Sequence, residues 1–394
     1  MIKILHTSDW HLGQRLMGKS RKEEHEIFLS WLFKTIKEQN IGLLIIAGDI
    51  FDTGTPPNYA LELYYNFLKK LSLVDGLYTV ITTGNHDSVS TLKTSKQLLE
   101  AFNIYVITSG ENEEQLIPIY RDKKLELIVC AVPFLRDSVV RKSVSSESIK
   151  EGDTALNQGI KQHYRELYNR AIELQNDKDI PIIATGHLTT VGSRTSESER
   201  DIYIGGTLDI GGDFLGQYFD YVALGHLHIN QKVKSEHVRY SGSPIPLSFG
   251  EANQQKRVNI ISFENREIDV EELEIPLYRK LVRLKGSGAE VKRELENIRD
   301  KETWIEVHLK DDNPTYEHQA IREYADKLGV IVLAIKIDKT EKRLTQKEIK
   351  VSSLEELTPL ELFNKRLKME ELESGEFKEE LLVKFREVVE EIVV

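Results

Sequence analysis

Short apolar runs and longer amphipathic stretches alternate through the first two-thirds of the chain. Strand-like runs lie at residues 2–6, 43–47, 78–82, 104–107, 125–132, 180–184 and 221–224. Unbroken hydrophobicity over about five residues marks strands buried on both faces, as in a parallel sheet. Between these runs apolar residues recur at helical spacing. Phe28, Leu32 and Ile36 line one face of a helix predicted over 21–39. Tyr64, Phe67, Leu68 and Leu71 line another over 58–71, and a more polar helix is predicted over 155–175. This alternation predicts an α/β domain of layered architecture over residues 1–270. Runs at 238–241 and 257–264 read as antiparallel and hairpin-like, so the expected architecture is mixed, two sheets face to face.

A second periodic unit spans 276–338. Strands are expected at 281–284, 304–309 and 330–337, with helices at 289–298 and 316–328. This βαβαβ pattern carries no cluster of reactive side chains and reads as a small capping domain. A charged linker, 339–357, leads to a helical segment at 358–394. Thr358, Pro359 and Glu361 are a helix start, with cap, first-turn proline and first-turn acid in place. Phe377, Leu381, Phe385, Val388 and Ile392 then repeat at three- and four-residue spacing. Such a stripe on a short acidic tail covers the protein's own core or docks a partner.

Charge changes this picture in one respect. The net charge is −11, which argues against holding nucleic acid by bulk charge alone. Residues 351–394 carry 12 acidic against 6 basic side chains, so the first 350 residues carry only −5. Bound cations would neutralise some of those acids. No apolar run approaches the roughly 20 residues that span a bilayer, and residues 1–5 lead straight into a strand pattern rather than a leader. The single cysteine, Cys130, lies in an apolar run and reads as a buried thiol. A cytoplasmic protein without membrane contact is the expectation.

The candidate chemistry sits at the ends of the apolar runs. Ser8-Asp9-Trp10-His11 follows the first and Gly48-Asp49 the second. Gly84-Asn85-His86-Asp87, Gly186-His187 and Gly225-His226-Leu227-His228 follow three others. Ligands bind at the carboxyl ends of strands in such a sheet, and those ends share one edge, so residues far apart in sequence are expected to meet in one cleft. Carboxylate, imidazole and amide oxygen together suit manganese or iron, with zinc open. Seven donors are too many for one ion and suit two that share a carboxylate. Glycine before four of the donors lets the backbone come close. His6, His25, His163, His237, His308 and His318 lack such a setting and read as ordinary. The polar loop 137–152 reads as solvated, and the loop 189–206, just after His187, is better placed to touch a substrate.

The five pieces resemble the calcineurin-like metallophosphoesterases, with their D-x-H, GD-x-x-D, GNH-D/E, GH and GH-x-H pattern. The finer resemblance is to the SbcD family of nuclease components. It rests on DWHLG (9–13), GDIFD (48–52), GNHD (84–87), DIYIG (201–205), GHLH (225–228) and HVRYSGSPIPLSF (237–249). That resemblance implies two divalent ions, most often manganese. Asp9, His11, Asp49 and His228 would hold one. Asp49, Asn85, His187 and His226 would hold the other, with Asp49 bridging. His86 would face the scissile phosphate and protonate the leaving oxygen, and Asp87 would orient the His86 imidazole. Asp52 stands where many relatives have His, and is read as a supporting group. The resemblance further implies 3'-5' exonuclease action on double-stranded DNA ends and endonuclease action on single-stranded or hairpin DNA, in DNA repair, recombination and replication. The partner would be an SbcC-like ATPase held by the C-terminal helices, and helices 21–39 and 58–71 could pair two copies as a homodimer in a heterotetramer. Rival readings are a phosphatase or nucleotide phosphodiesterase on the same fold, and a non-catalytic scaffold that tethers DNA ends. Protein phosphatases of this superfamily carry an Arg after GD-x-V-D, and GDIFDTG has none.

Overall fold

A computed structural model describes residues 2–110, 115–136, 140, 155–176, 178–196, 198, 199, 210–264, 266–310 and 314–337. The expected linker 339–357, the segment 358–394, the motif at 201–205 and all of the loop 137–152 except residue 140 lie outside them. In chain order the strands are β1 (Ile4–Thr7), β2 (Arg15–Leu16), β3 (Lys19–Ser20), β4 (Leu43–Ala47), β5 (Tyr78–Thr82), β6 (Ile104–Ile107), β7 (Leu116–Arg121) and β8 (Lys124–Cys130). Then come β9 (Ile182–His187), β10 (Tyr221–Gly225), β11 (Gln231–Val233), β12 (Ser235–Tyr240), β13 (Arg257–Glu264) and β14 (Glu267–Glu274). The last three are β15 (Leu281–Gly286), β16 (Trp304–Leu309) and β17 (Ile331–Ile337).

Two six-stranded mixed sheets result, in the orders β14-β13-β1-β4-β5-β6 and β11-β12-β10-β9-β8-β7. Alternate side chains explain the layering. Ile4, Leu43 and Ile45 of the first sheet meet Leu127, Val129, Tyr221 and Ala223 of the second in a core between the sheets. Leu5, Leu44 and Ile46 point the other way. They pack under α1 (Lys22–Glu38) and α2 (Asn58–Leu71). Val222, Leu224, Ile128 and Cys130 pack under the helix Ala155–Gln175. Both faces of the central strands are therefore covered, which is why their sequences read as continuous apolar runs. The stripes expected on α1 and α2 are buried against the first sheet.

Three expectations change. The strand expected at 238–241 is β12, which pairs parallel with β10 and antiparallel only with β11. β7 and β14 were not anticipated. Both are edge strands, and β14 (EIDVEELE) leaves most of its acidic side chains exposed, so its apolar signal is thin. Finally, the candidate donors do not share one sheet edge. β1, β4 and β5 belong to one sheet, β9 and β10 to the other, and the donors meet where the two rims converge.

Glycine makes that convergence possible. A Cβ on Gly225, at the end of β10, would run into the carbonyl oxygen of Ala47 at the end of β4. A Cβ on Gly84 would run into Asp49.

The three-stranded parallel sheet β15-β16-β17 has its own core of Leu284, Ile305, Val307 and Leu309 under the helices Gly288–Glu296 and Pro314–Leu328. It meets the rest of the described chain through Leu281 and Trp304, which pack on Leu16 and Phe249. Two guanidinium groups also approach the Trp304 ring, Arg21 at 5.5 Å and Arg279 at 4.7 Å from its centre. Arg21 is fully buried, donating to Glu24 at 2.6 Å and to the Pro246 carbonyl at 2.8 Å.

Gly225→Ala should lower the unfolding free energy by about 1–3 kcal/mol, because the added methyl overpacks a rigid contact. Urea unfolding of the full chain measures this. An unchanged midpoint would mean that β4 and β10 do not meet as described.

Candidate metal centre

The candidate donors are set by loops that run side by side. Asp9 N donates to Gly48 O at 3.0 Å, His11 N to Asp49 O at 3.0 Å and Leu12 N to Ile50 O at 2.9 Å. The chain after β1 is thus zipped to the chain after β4. Four candidates, Asp9, His11, Asp49 and His226, have φ of 52°, 47°, 48° and 96°. Left-handed backbone is uncommon outside glycine and concentrates at functional sites.

Two clusters form at this rim. Asp9, His11 and His228 have potential ligand atoms within 4.8 Å of one another, and so do Asp49, His187 and His226. Asp49 faces both. Its Oδ2 lies 3.3 Å from His187 Nε2 and 3.6 Å from His11 Nε2, and its Oδ1 accepts from His86 N at 3.0 Å. Asn85 Oδ1 lies 3.0 Å from His187 Nε2, which brings the amide to the second cluster. A third grouping, His11, Asp52 and His86, reflects supporting contacts. Asp52 Oδ1 stands 3.3 Å from His11 Nδ1 and so directs His11 Nε2 inward, as carboxylates do behind metal-binding imidazoles.

The supporting bonds fix which atoms are free. His187 Nδ1 lies 3.1 Å from Ala47 O, so it carries the proton, and Nε2 faces Asp49 and Asn85. Asp9 Oδ1 accepts from His226 N at 2.8 Å, and its Oδ2 accepts from Ser8 Oγ at 2.5 Å. His86 Nδ1 lies 2.7 Å from the Asp52 carbonyl, and the half-buried ring keeps Nε2 for other work.

One expectation is corrected. Asp87 does not orient His86. Its carboxylate is buried and accepts three backbone N–H groups, from Gly84 at 2.8 Å, Phe51 at 2.9 Å and Ile50 at 3.2 Å. Asp87 is a staple between the loops after β4 and β5. Neighbouring positions in a chain point in different directions, and the Asp52 carbonyl holds the imidazole instead.

Electrostatics single out the same groups. Burial would lower His187, but the facing Asp49 carboxylate outweighs it and raises the imidazole to about 9. Burial would raise Asp49, and His187 and His11 hold it well below the ordinary carboxylate range. Burial raises Asp9. Burial and the neighbouring His187 charge push His226 down to about 3. Burial and the Asp49 charge raise Asp87 to about 6 despite its backbone bonds. The Asp49 carboxylate thus favours a positive charge beside it.

The residues fit divalent ions. Nε2 of buried His11, the atom aimed at Asp49, lacks a hydrogen-bond partner. The candidate donors are carboxylates, imidazoles and one amide, and the single cysteine, Cys130, is buried in the core under the helix Ala155–Gln175. His6 is an ordinary core residue, 2.9 Å from Tyr221 Oη and 3.2 Å from Leu224 O, and burial lowers it to about 3.

Sequence reasoning missed the groups behind His228. Ser198 Oγ lies 2.6 Å from His228 Nδ1 and donates to Glu251 Oε1. Glu199 Oε1 accepts from His228 N at 2.7 Å. Glu251 is fully buried and pairs with Lys256 at 2.5 Å. Burial would raise Glu251, and Lys256 holds it well below the usual range. Loop 189–206 was singled out for substrate, and its Ser198 and Glu199 in fact bracket a candidate donor. The only sequence cue was that Glu251 lies just after the SPIPLSF run.

Fold and site together define a calcineurin-like phosphoesterase, and the family model of that description matches residues 2–230. A second family model, described as the type 5 capsule protein repressor C-terminal domain, matches residues 277–371. The chain is 39% identical to the SbcD component of the SbcCD nuclease of Escherichia coli strain K12 over 385 residues, 95% of each chain. It is 32% identical to the SbcD component of the SbcCD nuclease of Bacillus subtilis strain 168 over 317 residues, 78% of this chain and 79% of that one. The chain belongs to the SbcD family of calcineurin-like phosphoesterases.

Metal affinity should rise with pH. A proton on His187 Nε2 must leave before that atom can bind a cation, so binding tightens about tenfold per pH unit below pH 9 and levels off above. Calorimetric titration with manganese at pH 7, 8 and 9 measures this. A flat profile would remove His187 from the donor set.

Proposed function

We propose that this chain is a dinuclear-metal DNA nuclease, working in the cytoplasm as the SbcD component of an SbcCD-type complex. The observation that carries the proposal is the pair of clusters sharing Asp49 at the convergent rims of two sheets. Family membership supports DNA as substrate, and the proposed actions are 3'-5' exonuclease cleavage at duplex ends and endonuclease cleavage of hairpins or single strands. No helix among the described residues is long and apolar enough to cross a membrane.

Asp9, His11, Asp49 and His228 would hold one divalent ion, manganese in this reading. Asp49, Asn85, His187 and His226 would hold the other. Bound ions would supply Lewis acidity toward the phosphate and a water of lowered pKa. The chain's own part is to aim these groups and move a proton. His86 Nδ1 is held by the Asp52 carbonyl, so Nε2 is the atom that gives a proton to the leaving oxygen. Asp52 steadies His11 through the same loop. Asp87 keeps the Asp49 and Asn85 loops in register. In this reading residues 276–338 are a capping domain. Residues 358–394 bind the SbcC-like ATPase, and the chain pairs with a second copy inside a heterotetramer.

Two experiments test the proposal. Purified protein with manganese should digest a labelled duplex and a hairpin. His86→Ala should keep two ions but lose about 10²–10⁴-fold in rate. Loss of metal in that variant would make His86 a ligand, and full activity would remove it from proton transfer. Deleting 351–394 should abolish co-purification with the SbcC-like ATPase while digestion of a small phosphodiester persists. Retained co-purification would overturn the tail assignment.

A further inference from the structure

We propose that Ser198 and Glu251 are positioning residues for His228, holding its imidazole with the proton on Nδ1 and leaving Nε2 as the free donor atom. This rests on the reading of His228 as a metal ligand and goes beyond it, since neither Ser198 nor Glu251 belongs to the donor set.

Glu251 is fully buried and paired with Lys256, so its carboxylate accepts and does not donate. Ser198 Oγ is hydrogen-bonded to Glu251 Oε1, which takes one proton between the two oxygens. That proton is the serine's, because the carboxylate has none. A hydroxyl has one proton, so Ser198 has none left for His228 Nδ1, which lies 2.6 Å from the same oxygen. Nδ1 must therefore be the N–H donor. The carboxylates nearest Nδ1 agree: Glu251 Oε1 stands at 3.5 Å and Glu199 Oε1 at 4.0 Å, and both accept. Ser196 Oγ, 2.8 Å from Ser198, makes its own contact with Glu251 Oε1 at 3.2 Å.

The arrangement closes on itself. Lys256 Nζ donates to Glu251 Oε2 at 2.5 Å and to the carbonyl of His228 at 3.0 Å. Glu251 thus reaches the ring of His228 through Ser198 and its backbone through Lys256. Leu247 N and Ser243 Oγ also give to Glu251 Oε2, at 3.2 and 3.3 Å. Outer partners of this kind set the tautomer of a ligating histidine and raise its affinity for metal.

The test uses the full chain, stripped of metal by chelator and labelled with ¹⁵N-histidine. Long-range proton–nitrogen NMR reads the tautomer, with His228 assigned by its loss in His228→Asn. His228 is expected in the Nδ1–H form. Ser198→Ala should let the ring exchange between tautomers, and Ser198→Thr, which keeps the hydroxyl, should restore the single form. In manganese titrations Ser198→Ala should weaken one of two sites by about 10–100-fold, with Ser198→Thr again restoring it. An Nε2–H form in the unsubstituted chain overturns the proposal. So does a Ser198→Ala protein with unchanged tautomer and affinity. If His228→Asn keeps both ions at full affinity, His228 is no ligand and the underlying reading falls, an outcome distinct from failure of the Ser198 link alone.

Discussion

The close approach of β4 and β10 at their carboxyl ends is the constraint on which the site depends. These strands belong to different sheets, and only a hydrogen at the Gly225 α-carbon lets the Ala47 carbonyl pass. That carbonyl also receives His187 Nδ1, which turns Nε2 toward Asp49, two residues further along the chain. The contact that joins the sheets therefore also points a candidate donor at Asp49. The buried layer of Ile4, Leu43, Ile45, Tyr221 and Ala223 keeps the two rims at this distance.

Much of the site was legible because each donor sits next to a local signal. An apolar run followed by Gly-Asp, Gly-Asn-His or Gly-His can be read without knowing its neighbours in space, and the structure brings Asp9, His11, Asn85, His187, His226 and His228 around Asp49. Which sheet each strand joins was not legible, because pairing is decided by partners far along the chain. The parallel placement of β12 beside β10 is an example. Asp87 was misread for a related reason: adjacency to His86 in sequence suggested contact, whereas the loops after β4 claim its carboxylate. Ser198, Glu251 and Lys256 carry no motif, and only the fold brings residues 53 apart in sequence into one hydrogen bond.

The rim divides its labour between two kinds of buried charge. Around Asp49 the carboxylates and imidazoles crowd together with their donor atoms facing one another, an arrangement whose field a bound cation would satisfy. Around Glu251 the charges are already paired, with Lys256 and four hydroxyl or amide donors saturating the carboxylate. The first cluster leaves His11 Nε2 without a hydrogen-bond partner, and the second is fully paired. Phe249, in the same helical turn as Glu251, packs on Leu281 and Trp304 of the three-stranded sheet. The paired cluster therefore adjoins the contact between that sheet and the larger sandwich.

The central claim is that Asp49 bridges two ions. Electron paramagnetic resonance of the full chain at two manganese ions per protein tests it most directly. Ions bridged by one carboxylate sit about 3.5–4 Å apart and couple magnetically. The expected spectrum is that of an exchange-coupled pair, replaced by isolated manganese signals in Asp49→Asn. Isolated signals from the unsubstituted chain at full occupancy would contradict it.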